Sequence, residues 1–286
     1  SRWVSLTVLV VAGITVGVFI VDALTGCWLQ LNSLLGYNPL LAGRFAGFGN
    51  PGFAIFGTSA MLLTGFLAYG HRRWMSLVLT VVVAVPVVAV EGFPQWGADV
   101  GGILTLVPAF VVLGLLITRT AATWPRLVLA GMVAVALVLL VGWVDYLRPD
   151  DAQTHFGRFF ASLLDGSAWS MIRRKVLANA EVLLLGPHTV LALVLVVLLV
   201  VAIFRPPPLL ARAYATVPQL RPTLIATVVL GAAGFATNDS GVIIPSVVMT
   251  VAGPLTLAIC AWVAMGKAGP VAGVLPDETA PHPATS

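Results

Sequence analysis

Eight apolar segments divide this chain of 286 residues, and they limit its possible folds more than any other feature of the sequence. They lie at residues 3–24, 51–69, 74–90, 102–117, 127–144, 188–204, 222–236 and 241–265. A helix rises about 1.5 Å per residue, so about 20 apolar residues cross the roughly 30 Å hydrocarbon core of a bilayer. The chain is only 9% charged, against about 25% in an ordinary soluble domain. The sequence therefore predicts an all-α integral membrane protein with about eight transmembrane helices.

The segments and their ends also predict the domain organisation. We expect residues 1–267 to form one polytopic transmembrane domain, with an interfacial helical segment at about 152–184. The seventh segment, 222–236, would cover only about 22 Å as a helix, which predicts a short span. Residues 268–286 are rich in Pro, Ala, Gly and Thr, and we expect them to form a disordered cytoplasmic tail.

The placement of Lys and Arg predicts the orientation, because short cytoplasmic loops of membrane proteins carry an excess of these residues. If successive linkers are assigned to alternate sides of the membrane, one side receives nine basic residues and only the two acids of the tail. The other side receives six basic residues and the nine remaining acids. We therefore expect a multi-pass protein of the bacterial plasma membrane with both termini in the cytoplasm. Linkers 25–50, 91–101, 145–187 and 237–241 then face outward, so any site is expected to open on that side.

Composition excludes several other classes of protein. The net charge of +4 comes from basic residues scattered between apolar segments, so no nucleic-acid-binding face is expected. Cys27 and Cys260 fall at different predicted depths and are not expected to form a disulfide. No Walker, dinucleotide or metalloprotease motif occurs, and the sequence assigns no metal and no cofactor.

The first outward linker contains the stretch GRFAGFGNPG at residues 43–52. Asn50 is predicted as a helix N-cap and Pro51 as the first helical residue, so the positive end of the second helix dipole faces outward. Exposed backbone N–H groups at Gly47 and Gly49, beside Arg44, would form an anion site that suits a phosphate group. The alternative is close packing of small residues between helices, with Arg44 on lipid headgroups.

Two further outward turns carry carboxylates. In the turn at 235–245, Asp239 or Ser240 is predicted to cap the eighth span, and Asn238 lies beside them. A carboxylate below the headgroups is costly, so Asp239 is expected to face a cavity or a cation unless it is an ordinary interfacial cap. Asp99 precedes the fourth span as a plain N-cap or as a second site carboxylate, paired with Asp239 in acid–base or metal chemistry.

The longest outward linker predicts helices that lie along the membrane surface. Phe156, Phe159, Phe160, Leu163 and Leu164 recur at helical spacing, and a polar stripe lies opposite them. After Gly166, a second segment carries Arg173, Arg174 and Lys175. Both segments are expected to anchor on anionic headgroups. A sharper hypothesis is that His155, Arg158, Arg174 and Asn179 form a headgroup-binding cleft, with His155 as the general acid or base.

The motifs in these linkers resemble those of a group of uncharacterised bacterial polytopic membrane proteins. They are YNPLLAGRFAGFGNPG, QWGADVGG, THFGRFF with IRRK-x3-N, and ATNDSG, and together they cover most of residues 37–245. Longer members of that group carry an extracytoplasmic region similar to alkaline-phosphatase-type phosphohydrolases. The resemblance implies work on phosphorylated or lipid-linked envelope material, and it suggests that this chain is the membrane half of a larger protein.

Three functions stay open at this point. The first is a site for a phosphorylated lipid or a lipid-linked glycan. The residues expected to bind its phosphate or headgroup are Arg44, Gly47, Gly49, Asn50, Arg158, Arg174, Asn179, Asn238 and Ser240. The residues expected to catalyse a reaction are Asp239, His155 and Asp99. The second is a transporter or flippase for the same kind of anion. The third is a non-catalytic scaffold. The expected partners are membrane lipids and an extracytoplasmic catalytic domain or subunit, with no nucleic acid.

Overall fold

The computed structural model describes residues 2–31, 33, 47–149, 151–170, 172–174, 177, 189–238 and 242–266. Every regular element in these ranges is a helix. In chain order they are α1 (Arg2–Leu24), α2 (Trp28–Leu31), α3 (Asn50–Ala68), α4 (Arg73–Gly92), α5 (Val100–Ile117), α6 (Trp124–Tyr146), α7 (His155–Leu164), α8 (Thr189–Phe204), α9 (Pro208–Thr216), α10 (Leu220–Thr237) and α11 (Ile243–Ala264).

Seven of these helices are long and apolar enough to cross a membrane, which makes the chain a multi-pass membrane protein. They are α1, α3, α4, α5, α6, α10 and α11. An eighth span is obtained if residues Val197–Phe204 and Pro208–Thr216, which meet at a bend of 60°, cross together. The all-helical prediction is therefore confirmed for the described residues, which contain seven or eight candidate spans.

Two helix boundaries differ from the sequence prediction. The predicted short span, 222–236, is the 18-residue helix α10, which begins at Leu220 and covers about 27 Å. Pro222 is tolerated because the N–H groups of a first helical turn have no intrahelical partner. The predicted sixth span ends in the Arg-Pro-Pro-Pro stretch at residues 205–208, and the bend lies there. The broken element is thus α8 with α9, and α10 has ordinary length.

Contacts between helix termini define two ends of the bundle, a polar end and a basic end. The polar end holds residues 22–31, 47–50, 91–100, 145–149, 151–157, 237–238 and 242–243 of the described ranges. There the Phe48 N–H donates to the Gly97 carbonyl at 2.9 Å. At the basic end, the Gln219 Nε2 donates to the Ser5 Oγ at 2.8 Å, which joins the start of α10 to the start of α1. Consecutive spans run in opposite directions between these ends, as expected.

Charge is distributed unequally between the two ends. All six acidic residues of the described ranges lie at the polar end or in the linker that follows α6: Asp22, Glu91, Asp99, Asp145, Asp151 and Asp165. Eight described arginines lie at the basic end: Arg2, Arg72, Arg73, Arg119, Arg126, Arg205, Arg212 and Arg221. The positive-inside rule would place the basic end in the cytoplasm, and that orientation stays a prediction.

The helices α3, α5 and α10 form the buried centre of the bundle. Phe53, Phe56, Leu106 and Leu230 are all fully buried there. A Cβ at Gly65 of α3 would overlap the side chain of Thr223 on α10, so this glycine permits the close approach that small residues give membrane helices. The outer surfaces of α1, α4 and α6 are exposed and apolar, as expected of helices that face lipid.

The predicted amphipathic helix is present as α7, but part of its apolar face packs on protein. Phe156 is fully buried in a cluster with Ile103 of α5 and Val138 of α6. The ring of Phe160 contacts that of Tyr146 with centroids 5.7 Å apart. Leu163 and Leu164, further along, are exposed. The apolar face therefore serves two surfaces, the bundle at the start of α7 and an open side at its end.

The two-ended architecture makes a testable prediction about orientation. In a background in which both native cysteines are replaced by alanine, Arg72→Cys at the basic end is expected to resist a membrane-impermeant thiol reagent added outside intact cells. The matched variant Asp151→Cys, exposed in the linker before α7, is expected to react. Labelling of position 72 but not of position 151 from outside would reverse the assigned orientation.

A buried polar cluster at one end of the bundle

Each of three spans that end at the polar end carries one acidic residue in its last turn. These residues are Asp22 of α1, Glu91 of α4 and Asp145 of α6, exposed by only 3%, 0% and 1%. The C-terminal end of a helix carries partial negative charge, which makes it an unfavourable position for a carboxylate. Burial adds a further cost unless hydrogen bonds compensate it. The partners of these acids therefore decide what the polar end does.

Asp22 holds the linker that follows its own helix. Its Oδ1 accepts from the Leu29 N–H at 2.8 Å and its Oδ2 from the Gln30 N–H at 3.1 Å. These donors belong to the short helix α2, whose N–H groups lack intrahelical acceptors. The Cys27 N–H also donates to the Asp22 carbonyl at 2.7 Å. Asp22 thus folds the chain back over the end of α1.

Asp145 does the same for the linker between α6 and α7. Its Oδ2 accepts from the N–H and the hydroxyl of Thr154, at 2.9 and 2.7 Å, and from the Gly157 N–H at 2.8 Å. Its Oδ1 accepts from the Arg148 guanidinium at 3.0 Å. The carboxylate is satisfied by four donors and fixes the first turn of α7 on the end of α6.

The linker between α4 and α5 wraps tightly around the end of α4. The Gly97 N–H donates to the Val90 carbonyl at 2.7 Å, and the Asp99 N–H donates to the Glu91 carbonyl at 3.0 Å. Between them, Ala98 has a left-handed backbone with φ of 52°, an unusual conformation for a residue with a side chain. The geometry places the backbone of Asp99 directly beside Glu91.

Three polar side chains surround the amino-terminal turn of α5. The Asp99 carboxylate caps it by accepting from the Gly101 N–H at 3.0 Å, which confirms the predicted N-cap. Glu91 occupies the space in which Gly102 lacks a side chain, since a Cβ there would lie 2.9 Å from the Glu91 Oε1. Asn238 occupies the equivalent space over Gly101. Two adjacent glycines therefore let two other helices place polar groups against this helix end.

Residues 47–50 are buried, which favours the close-packing interpretation of this stretch. A Cβ on Gly47 would overlap the Gly97 carbonyl, and Gly47 has φ of +91°, so only glycine fits. The Phe48 ring stacks on Phe56 with centroids 5.2 Å apart. Gly49 rather than the predicted Asn50 is the N-cap of α3, and Asn50 is its first helical residue at 3% exposure. Arg44 lies outside the described residues.

The turn between α10 and α11 is described at its two ends. Helix α11 begins at Ile243 with Val242 at the N-cap position, whereas the predicted caps are Asp239 or Ser240. Those two residues lie outside the described ranges. At the end of α10, the Thr237 hydroxyl lies 2.9 Å from that of Thr105 on α5. Asn238, only 5% exposed, follows directly.

The candidate cleft residues of the third outward linker are not gathered at the buried cluster. Arg158 is exposed on α7 and donates to the Gln153 carbonyl at 3.2 Å, and Arg174 is exposed further along. His155 begins α7 beside the buried Phe156. Asn179 lies outside the described residues. Within the described part of the chain, the predicted site separates into a buried cluster around α5 and an exposed basic surface.

Sequence reasoning counted Asp22, Glu91 and Asp145 only as charges and assigned them no place in a site. The signal was present in FIVDAL, VVAVEGFP and GWVDYLRP, where a lone acid closes an apolar run. A carboxylate at the end of a membrane span is functional or structurally bound by default, because its burial is costly. The pattern could therefore have been read from the sequence.

Neither cysteine forms a disulfide, as expected from their separation. Burial raises the pKa of the Cys27 thiol, and a hydrogen bond from the Gly47 N–H partly opposes that rise. The described residues contain no group of three His, Cys, Asp or Glu side chains arranged to bind a metal ion. Cys27 therefore reads as a neutral packing residue beneath the residue 47 turn.

Comparison with known proteins supplies no relative. No family model, curated protein or solved structure matches this chain. Its function therefore has to be argued from the placement of its residues.

The glycines under the cluster make a prediction about stability. Gly102→Ala would drive a Cβ into the Glu91 side chain, and overpacking of this kind costs about 1–3 kcal/mol. We expect a lower free energy of unfolding in a denaturing-detergent titration of the purified protein. Gly131→Ala is the matched control, since a Cβ on this α6 glycine meets no atom within 4 Å. Equal stability of the two variants would contradict the close contact between Glu91 and α5.

The Asp145 clamp makes a prediction about local opening. Hydrogen bonds to a charged group contribute about 1.5–3 kcal/mol each, so Asp145→Ala is expected to speed amide hydrogen exchange at Thr154 and Gly157 by roughly tenfold or more. The exposed Asp151→Ala in the same linker should leave both rates unchanged. Unaltered exchange in Asp145→Ala would show that other contacts hold α7.

Proposed function

We propose that the polar end binds a phosphorylated lipid or a lipid-linked envelope glycan on the extracytoplasmic side of the bacterial plasma membrane. The protein would act on it as an enzyme, or as the membrane half of a phosphohydrolase or transferase. The observation that supports this proposal is the concentration of four buried polar side chains at one end of the bundle. The cluster consists of Glu91 of α4, Asp99 at the N-cap of α5, Asn50 of α3 and Asn238 at the C-cap of α10. Each of these side chains is at most 5% exposed.

Such a cluster is costly in a protein that otherwise buries hydrocarbon, because each buried polar group must recover its lost hydration. Packing alone does not require it, since α3, α5 and α10 already have a large apolar core below. The basic end offers no comparable buried set of carboxylates and amides among the described residues. A polar ligand at this one end, in addition to the partners that these side chains have within the protein, would account for the asymmetry.

The residues proposed for binding adjoin this cluster in the sequence. Arg44 precedes Gly47 by three residues, and Gly47 is in contact with Gly97. Asp239 and Ser240 directly follow Asn238, which lies against Gly101. In the proposal, the Arg44 guanidinium binds the phosphate, and nearby carboxylates orient it, as bidentate pairing with arginine allows.

Proton transfer is assigned to Asp239 and Asp99, with His155 as a further acid or base. His155 stands beside Phe156, which packs in one cluster with Ala98 and Val100 at the start of α5. The lipid chains would lie along the exposed apolar sides of the bundle, so only the phosphorylated head needs to reach the polar end.

A transporter or flippase for the same kind of anion is the second candidate. The 60° bend between Val197–Phe204 and Pro208–Thr216 favours it, since broken helices are common in transporters. A short, interrupted seventh span would also have favoured a transporter, but α10 is a helix of regular length and does not provide that argument.

The binding proposal is tested with a matched pair of lipids. A short-chain polyprenyl diphosphate should raise the unfolding temperature of the purified protein in uncharged detergent, whereas the corresponding polyprenyl alcohol should not. Arg44→Ala is expected to abolish the shift, because it removes the fixed cation that the phosphate requires. Stabilisation by the alcohol to the same extent would show that only the chain is recognised.

Arg119→Ala, which removes an arginine at the opposite end, is the control and should keep the full shift. If the diphosphate fails to stabilise the wild type, or stabilises Arg44→Ala equally, the polar end is not a phosphate site. Movement of labelled lipid across liposomes by the wild type, with loss in Arg44→Ala, would favour the transporter over the enzyme.

A further inference from the structure

Three arginines form an exposed basic surface beyond α6, separate from the buried cluster. Arg158 lies on α7, and Arg173 and Arg174 lie in the helical residues 172–174 that follow it; we refer to these three as the basic platform. Within the described ranges, the ion pair of this linker joins Arg148 to Asp145 and involves none of the three platform arginines. Asp165 is the one acid between them, and hydrogen bonds from Ser167 hold the pKa of its carboxyl below the usual range. The platform therefore keeps a net positive charge.

Large apolar side chains are interleaved with these arginines. Leu164 is 66% exposed, Trp169 72% and Leu177 56%. Nearby Ala168 is buried, so this segment rests on the protein while its tryptophan points away from it. Exposed tryptophan beside exposed arginine is typical of segments at the membrane–water interface.

The platform is held at the level where a span ends. Asp145 joins the first turn of α7 to the last turn of α6, and Phe160 contacts both Tyr146 and the Gly142 backbone region. Trp143 and Tyr146, in that same last turn, are 48% and 38% exposed. Aromatic rings of this kind mark the headgroup region at the end of a transmembrane helix. The arginines are therefore displayed at headgroup depth.

We propose that the basic platform is a binding surface for the headgroups of anionic phospholipids in the leaflet at the polar end. The partner is a lipid surface because the charge is combined with exposed Trp169 and Leu164, which a bilayer interface accepts and an acidic soluble partner would not require. The platform is independent of the phosphate site near α5, since it uses none of Glu91, Asp99, Asn50 or Asn238. It would concentrate anionic lipid around α6 and α7.

The experiment uses the full-length protein in uncharged detergent micelles, titrated with brominated phosphatidylglycerol or brominated phosphatidylcholine. Bromine quenches nearby tryptophan, and the contribution of Trp169 is isolated by comparison with Trp169→Phe. We expect quenching of Trp169 at lower concentrations of phosphatidylglycerol than of phosphatidylcholine. Each arginine near an anionic surface contributes about 1 kcal/mol, so the triple variant Arg158→Gln, Arg173→Gln, Arg174→Gln should raise the half-quenching concentration by roughly fivefold per arginine.

A charge-matched triple variant at the basic end, Arg72→Gln, Arg119→Gln, Arg126→Gln, controls for net charge and should leave Trp169 quenching unchanged. If both triples weaken quenching equally, net charge alone attracts the lipid and the platform is not a site. Equal quenching by the two lipids in the wild type would also overturn the proposal, because it would show contact with lipid that does not depend on headgroup charge. All six arginines are exposed, so each single Gln variant should leave the thermal unfolding temperature of the protein unaltered.

Discussion

Carboxylates at the ends of membrane helices control the architecture of the polar end. A carboxylate in the last turn opposes the helix dipole and is costly to bury, so it persists only where donors converge on it. Asp22 and Asp145 accept hydrogen bonds from the linker that follows their own helix. The N–H groups of Leu29 and Gln30 lie 2.8 and 3.1 Å from Asp22, and the donors of Thr154 and Gly157 lie 2.7–2.9 Å from Asp145. Each span thereby determines the path of the chain after it leaves the membrane, and the linkers become part of the packed structure.

The candidate site follows from that arrangement. Once the linkers are held down, Gly47 meets Gly97, and the start of α5 is brought under Glu91 and Asn238. The same arrangement excludes the exposed basic platform from the buried cluster, because Asp145 directs α7 outward along the side of the bundle. Recognition of one phosphorylated lipid and general attraction of anionic lipid would therefore be handled by two surfaces at one end of the protein.

Much of this organisation is readable from the sequence. Hydrophobic runs predicted the spans, alternation of Lys and Arg predicted which linkers share an end, and helical spacing of phenylalanines predicted α7. Asp99 was also a correct N-cap. What failed was local: the N-cap of α3 is Gly49, one residue before the predicted cap, Asn50. The position of Glu91 at the end of an apolar run could have indicated its burial, but its contact with Gly102, eleven residues away and on another helix, could not be read from the sequence.

The adjacent glycines of α5 have a mechanical consequence. Gly101 accepts the side chain of Asn238 and Gly102 that of Glu91, so two neighbouring helices grip one turn from different sides. Rotating α5, or sliding it along its axis, would disengage both side chains together. Helices α4, α5 and α10 are therefore expected to move together as one rigid block. Large movements in the protein would have to be carried by elements outside this block, and the bent α8 with α9 is the clearest such element.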